Sequence, residues 1–230
     1  MTYKKTIVVV GTSRGIGLEL VKELAQNSDH HILALGRNEG AMNSAFGSFE
    51  NVMIHALDLN RTDVQTQCDA IFQSIDQIDI LINNAGMLVN KPFPELSASD
   101  ISSCYQVNVI GVMQTVQAAI KKMSKAHIVN ISSIGGFQGS VKFAGLSAYS
   151  TSKAALCSFT ELFAEEYKES NIKMNCLCLG AVQTEMLEEA FPGYEAPLSA
   201  HEMAVYIAKF ALEGDQFMNG KIIPVSLSTP

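Results

Sequence analysis

Tryptophan is absent from this 230-residue chain, arginine occurs only three times, and proline six times. No apolar run approaches the ~18 residues needed to cross a bilayer, so no membrane span is expected. The apolar stretch Ile7 to Val10 ends at a glycine, is too short for the core of a secretory signal, and is followed by no small-residue cleavage site. The expected location is the cytoplasm. The five cysteines (Cys68, Cys104, Cys157, Cys176 and Cys178) are odd in number and scattered. Cys176 and Cys178 form a C-x-C with no second Cys/His pair nearby, so reduced core thiols and no metal site are expected. Basic residues number 16 against 23 acidic ones, for a formal net charge of −7. That balance argues against nucleic acid or an anionic membrane as the main partner.

Core-forming material is plentiful. Hydrophobic residues make up 47% of the chain and charged residues 17%, which excludes collagen-like, disordered and disulfide-scaffold classes. No repeat or low-complexity linker divides the chain. Strand patterns fall at Thr6 to Val10, His31 to Leu35, Val52 to Ala56, Ile78 to Ile82, His127 to Ile131, Lys173 to Leu179 and Lys221 to Val225. Most are nearly continuous apolar runs, the mark of strands buried on both faces of a parallel sheet. Helical patterns lie between them at Ile16 to Gln26, Asp63 to Ile75, Ser99 to Met123, Tyr149 to Glu169 and Ala200 to Glu213. This alternation predicts an α/β protein: residues 1–230 as a single doubly wound parallel-sheet domain of Rossmann type, about seven strands with helices on both faces.

The first strand pattern runs directly into Gly11-Thr12-Ser13-Arg14-Gly15-Ile16-Gly17, and a helix pattern begins at once. Glycines at such a junction let backbone N–H groups approach a phosphate, and the helix N-terminus adds partial positive charge. The spacing is G-x-x-x-G-x-G, and a plain strand-to-helix turn is the alternative reading. The second strand ends Ala34-Leu35-Gly36-Arg37-Asn38, without the acid that holds a ribose 2′-hydroxyl. Arg14 and Arg37 stand where a guanidinium can clamp a 2′-phosphate instead, although both also read as solvated loop cations. NADP(H) is therefore expected over NAD(H). Further along, Tyr149-Ser150-Thr151-Ser152-Lys153 opens a helix pattern, and residues four apart share one helix face. A neighbouring ammonium favours the phenolate form, which makes Tyr149 a candidate general acid/base.

The glycine turn, Asn83-Asn84-Ala85-Gly86, Ile131-Ser132-Ser133 and Tyr149-x-x-x-Lys153 together resemble the short-chain dehydrogenase/reductase family, in order and over nearly the whole chain. The resemblance implies a catalytic set of Asn108, Ser133, Tyr149 and Lys153. Tyr149 would protonate a carbonyl oxygen, Ser133 would polarise it, Lys153 would lower the tyrosine pKa and hold the nicotinamide ribose, and Asn108 would hold a water in a proton relay. It implies cofactor contacts from Gly11, Ser13, Arg14, Gly15, Ile16, Gly17, Arg37, Asp58, Leu59, Asn84, Ala85, Gly86, Tyr149, Lys153, Val182 and Thr184. Asp58 would meet the adenine amino group, Asn84 to Gly86 the adenine ribose, and Thr184 the nicotinamide carboxamide. A homodimer or homotetramer is implied as well, paired through Ser99 to Met123 and Tyr149 to Glu169. Val109, Val112, Met113, Val116 and Ile120 offer apolar surface for such pairing.

Three departures from the family pattern stand out. Val10 replaces a threonine, Ser133 precedes Tyr149 by three residues more than is common, and Leu179-Gly180 replaces Pro-Gly. The extra spacing falls in Gly135 to Gly145 and weakens the choice of Ser133 over Ser132. Met87, Phe137, Phe143, Met186, Leu187, Phe191 and Tyr194 predict an apolar pocket for a small carbonyl substrate. The expected activity is NADPH-dependent reduction of a ketone or aldehyde. Two alternatives stand: a 3-oxoacyl-carrier-protein reductase, disfavoured because both partners would be acidic, and a non-catalytic NADP-binding sensor or scaffold.

Overall fold

A computed structural model describes residues 5–227. The chain runs through β1 (Lys5–Val10), α1 (Gly15–Ala25), β2 (His30–Gly36), α2 (Glu39–Phe46), β3 (Val52–Ala56), α3 (Val64–Phe72), β4 (Ile80–Asn83), α4 (Ala98–Tyr105) and α5 (Gly111–Ala119). It continues through β5 (Lys125–Ser133), α6 (Ser147–Glu166), β6 (Asn171–Leu179), β7 (Val182–Gln183), α7 (Glu185–Ala190), β8 (Leu198–Ser199), α8 (Ala200–Glu213) and β9 (Ile222–Val225). Seven strands form one parallel sheet in the order β3-β2-β1-β4-β5-β6-β9, and β7 and β8 form a separate short parallel pair. Strand order reverses beside β1, which opens a crevice at the carboxyl ends of β1 and β4.

Burial on both faces accounts for the apolar runs. Along β1, Ile7 and Val9 join one core with Leu20 and Val21 of α1 and Ile207 of α8. Val8 and Val10 join the opposite core with Cys68 and Phe72 of α3, Val112 of α5 and Leu156 of α6. Each fully buried side chain of this size contributes about 2 kcal/mol. Among the described residues, no helix is long and apolar enough to cross a membrane.

The expected helix over Ser99 to Met123 is divided. α4 ends at Tyr105, Gln106–Ile110 form one π turn, and α5 follows, with Gly111 N–H reaching back to the Gln106 carbonyl. Such turns are concentrated at functional sites. α2, α7 and the β7–β8 pair were too short to register as periodic patterns. Of the apolar residues expected on an assembly face, Val109, Val112 and Val116 are buried and Ile120 packs on the same core. Met113, with Ile110 and Leu162, is left exposed.

A buried histidine ties the sheet to α8. Asn175 Oδ1 accepts from Lys221 N–H at 3.0 Å, so its Nδ2 is the donor to His127 Nε2, also at 3.0 Å. His127 Nδ1 then carries the proton and donates to the Ala211 carbonyl at 2.9 Å. Burial lowers the imidazole pKa from its usual 6.5. As pH falls through 6.5 the unfolded chain takes up a proton that the native imidazole refuses, so stability should fall with it. His127→Gln should flatten that slope, as urea midpoints at pH 7.5 and 5.5 would show. An unchanged slope would mean that His127 does not contribute to it.

Candidate active site

Where β1 ends, backbone contact leaves no room for side chains. A Cβ on Gly11, whose φ is +89°, would lie 2.5 Å from Ala85 Cα, and one on Gly17 would lie 2.0 Å from the Gly11 carbonyl oxygen. Asn84 Nδ2 donates to that carbonyl at 2.8 Å, fastening the loop after β4 to the turn. Thr12, not position 10, supplies the hydroxyl that ties the turn to β2, at 3.2 Å from the Leu35 carbonyl. Ser13 Oγ accepts from Asn38 N–H at 3.2 Å, which brings the end of β2 against the turn. No side chain caps α1, so its first N–H groups and partial positive charge remain at the mouth of the turn.

The cofactor candidates fall into two groups. Gly11, Ser13, Gly15, Gly17, Asn84, Ala85 and Gly86 gather at the crevice. Around them, Asp58 forms a turn with Asn60 N–H at 3.0 Å, Val182 is buried in β7, and the Thr184 hydroxyl caps α7 through Leu187 N–H at 3.3 Å. Ile16 packs on the α1–α8 core, and Leu59 is buried against Gly111. Arg37 is exposed at the end of β2. Arg14 is not a free loop cation: both of its terminal nitrogens donate to Glu189 of α7.

At the carboxyl ends of β4 and β5, α6 brings Tyr149 and Lys153 together, with Nζ 5.9 Å from the phenol ring centre. Lys153 is buried and donates to the Ile131 carbonyl at 2.8 Å. Successive strand residues face opposite ways, which separates the two serines. Ser132 Oγ is buried and donates to the Lys153 carbonyl at 2.8 Å. Ser133 stands beside Tyr149 at the strand end and accepts from Gly135 N–H at 3.2 Å. The longer spacing before Tyr149 is absorbed by a loop drawn closed around Lys142, whose Nζ donates to the Gly135 and Phe137 carbonyls at 3.1 and 2.6 Å. Within the predicted apolar pocket, Phe137 packs instead beside buried thiols.

Asn108, in the π turn, has no solvent contact. Its Oδ1 accepts from Met87 N–H at 2.8 Å, and its Nδ2 donates to the Met87 carbonyl and to Ser152 Oγ, both at 2.9 Å. Ser152 and the Met87 backbone were not foreseen, because nothing in their local pattern distinguishes them from ordinary helix and loop residues. Glu189 was missed too, although Glu185, Glu188 and Glu189 share a helix face at readable spacing.

Burial acts on both titrating groups. It pushes the Tyr149 phenol up to about 12, with the Ser133 hydroxyl pulling the other way. It lowers the Lys153 ammonium to about 8. The expected lowering of the tyrosine pKa by Lys153 is absent from this arrangement, because Nζ is directed at the Ile131 carbonyl. Below Lys153, Cys157 lies 3.9 Å from Cys176 and 3.5 Å from Cys178, sulfur to sulfur. This is the one three-residue group of potential metal ligands among the described residues.

Residues 5–195 match the family model for short chain dehydrogenases. The chain is 31% identical over 240 residues to the 3-oxoacyl-[acyl-carrier-protein] reductase FabG of Aquifex aeolicus, covering 96% of both. It is 35% identical over 184 residues to carbonyl reductase family member 4 of Danio rerio, covering 78% of this chain and 76% of that one. The structure of ElxO with NADP bound superposes with a TM-score of 0.83 at 26% identity, over 97% of both chains.

The depressed Lys153 pKa is checked by stability alone. Between about 8 and 10.5 the native ammonium has released a proton that the unfolded chain still holds, so wild-type stability should rise with pH. Lys153→Met should lack this gain, which amounts to about 3 kcal/mol at most. Urea unfolding at pH 7.5 and 9.5 measures it; identical pH responses in the two proteins would show that the ammonium is not desolvated.

Proposed function

The chain belongs to the short-chain dehydrogenase family, and we propose that it is an NADPH-dependent reductase of ketones or aldehydes. The observation that carries this reading is the meeting of Ser133, Tyr149 and Lys153 at the strand ends, beside a glycine turn whose helix is left uncapped. The turn suits a dinucleotide: its backbone approaches so closely that only glycine fits at positions 11 and 17, and the N–H groups of α1 are open to phosphate oxygens. Gly11, Ser13, Gly15 and Gly17 would hold the pyrophosphate, with Asp58 and Asn84 to Gly86 around the adenosine and Val182 and Thr184 near the nicotinamide. Arg37 and Arg14 are the cations available to a 2′-phosphate, and the end of β2 offers no acid to a free ribose hydroxyl. NADP bound to ElxO supports the same choice. When bound, the cofactor supplies the hydride.

This chain's own residues handle the oxygen. Ser133 and Tyr149 present two hydroxyl donors to one carbonyl, where they stabilise the negative charge that grows as it is reduced. With its pKa pushed up to about 12 the phenol is protonated at neutral pH, so Tyr149 is loaded as a proton donor. Lys153, whose Nζ is turned to the Ile131 carbonyl, would hold the nicotinamide ribose. Asn108 would serve chiefly by fixing the Met87 loop against α6.

Similarity to the FabG of Aquifex aeolicus favours a second reading, reduction of a 3-oxoacyl thioester. Carrier-protein docking needs cations near the mouth, and there Lys91 is paired with Asp100 while Lys142 is turned onto loop carbonyls. A sensor has no use for a complete donor set. Absorbance decay of NADPH against ketones, aldehydes and acyl thioesters separates the three, and tight binding with silence across the panel would favour the sensor. Exposed Met113, Ile110 and Leu162 support a homodimer or homotetramer.

NADPH should bind at least about tenfold more tightly than NADH, the worth of one good charge-assisted contact. Gly36→Asp with Arg37→Ile should invert the preference once the Ser13 hydroxyl, 2.6 Å from a Cβ at position 36, rotates away. A retained preference would contradict the role of Arg37. Tyr149→Phe should lower turnover by roughly 10²–10⁴ while NADPH affinity, followed by fluorescence, stays nearly constant. Lys153→Met should damage both, and Ser133→Ala should lower turnover where Ser132→Ala does not. A Tyr149→Phe enzyme within about tenfold of wild type would contradict the proton-donor role.

A further inference from the structure

Helix α7 lies across the glycine turn. Its Glu189 meets both terminal nitrogens of Arg14, with Nη2 to Oε2 at 3.0 Å, although the two residues are 175 positions apart in sequence. Glu185 approaches the same turn: its Oε2 is 3.5 Å from the place a Cβ would take on Gly15, and its charge adds to the hold on Arg14. The two helices face each other across a cleft of about 570 Å³, walled by Gly15 and Leu18 on one side and by Thr184, Glu185 and Glu189 on the other. The helix is held at its base, since β7 and β8 pair on either side of the segment and Thr184 caps its first turn. Glu189 is therefore presented to Arg14 by ordered structure.

A guanidinium satisfied at both terminal nitrogens by one carboxylate has its planar fork already filled. A 2′-phosphate that used the same fork would have to displace Glu189 first, whereas a cofactor lacking that phosphate would leave the ion pair untouched. We propose that Glu189 is a specificity-determining residue that competes with the 2′-phosphate for Arg14, so that the protein discriminates NADPH from NADH less strongly than its arginines alone would allow. The inference rests on the NADP(H) reading above and concerns a residue outside the catalytic set.

Fluorescence titration of NADPH and of NADH, without substrate, tests it in five proteins: wild type, Glu189→Gln, Glu188→Gln, Arg14→Ala and the Arg14→Ala/Glu189→Gln double variant. An exposed ion pair is worth up to about fivefold in an equilibrium. Glu189→Gln should therefore tighten NADPH by about three- to fivefold and leave NADH unchanged. Glu188→Gln removes the same charge from α7, but its carboxylate meets Gly193 N–H rather than Arg14, so the NADPH-to-NADH ratio should stay at the wild-type value. Arg14→Ala should weaken NADPH alone, and adding Glu189→Gln to it should give no tightening. If Arg14→Ala weakens NADPH but Glu189→Gln leaves the ratio unchanged or lowers it, the competition is overturned and the cofactor reading stands. If Arg14→Ala leaves the ratio unchanged, Arg14 does not read the 2′-phosphate, and both the competition and that part of the cofactor reading fall. Equal tightening by Glu188→Gln and Glu189→Gln would reduce the effect to overall charge and overturn the proposal.

Discussion

With no solvent contact, the Asn108 side chain accepts the Met87 N–H and donates to the Met87 carbonyl and the Ser152 hydroxyl, and these three hydrogen bonds hold the geometry of the site together. They join the π turn, the loop after β4 and the helix that carries Tyr149 and Lys153. Removing one partner from a buried bond of this kind leaves an unsatisfied group that costs about 1–3 kcal/mol. Side chains that cannot both accept and donate at those positions would strand the Met87 backbone. Asn108 lies within the π turn, and the helical run resumes directly after it as α5.

The site stores its chemistry in desolvation. Lys153 carries its ammonium into the protein with one carbonyl partner, and its pKa falls to about 8. The half-buried phenol of Tyr149 moves in the opposite direction, to about 12. Both shifts follow from one cause, burial disfavouring the charged form. Together they leave a neutral phenol beside an ammonium of lowered pKa.

Much of this was legible in the residues. Strands buried on both faces leave uninterrupted apolar runs, so the seven-stranded sheet could be read within a few residues at each end. Glycines at 11 and 17 are forced by backbone contact, and Tyr149 and Lys153 by helical spacing. Tertiary contacts were out of reach. No local pattern shows that the helix over Ser99 to Met123 would break at Gln106, that Asn108 would spend its amide on Met87, or that Arg14 would meet Glu189 across 175 positions. The alternation of a strand resolves Ser133 from Ser132 only once the position of α6 is known. The apolar surplus assigned to an assembly face proved mostly to be core, because periodicity reports that a face is buried without saying against what.

Hydride transfer between bound cofactor and substrate is the central claim, and isotope transfer tests it most directly. NADPH carrying deuterium at C4 of the nicotinamide, incubated with the best ketone or aldehyde, should give an alcohol with one deuterium on its carbinol carbon when one of the two C4 faces is labelled and none when the other is, read by mass spectrometry. Cofactor oxidation without deuterium in the alcohol from either labelled form would contradict direct transfer.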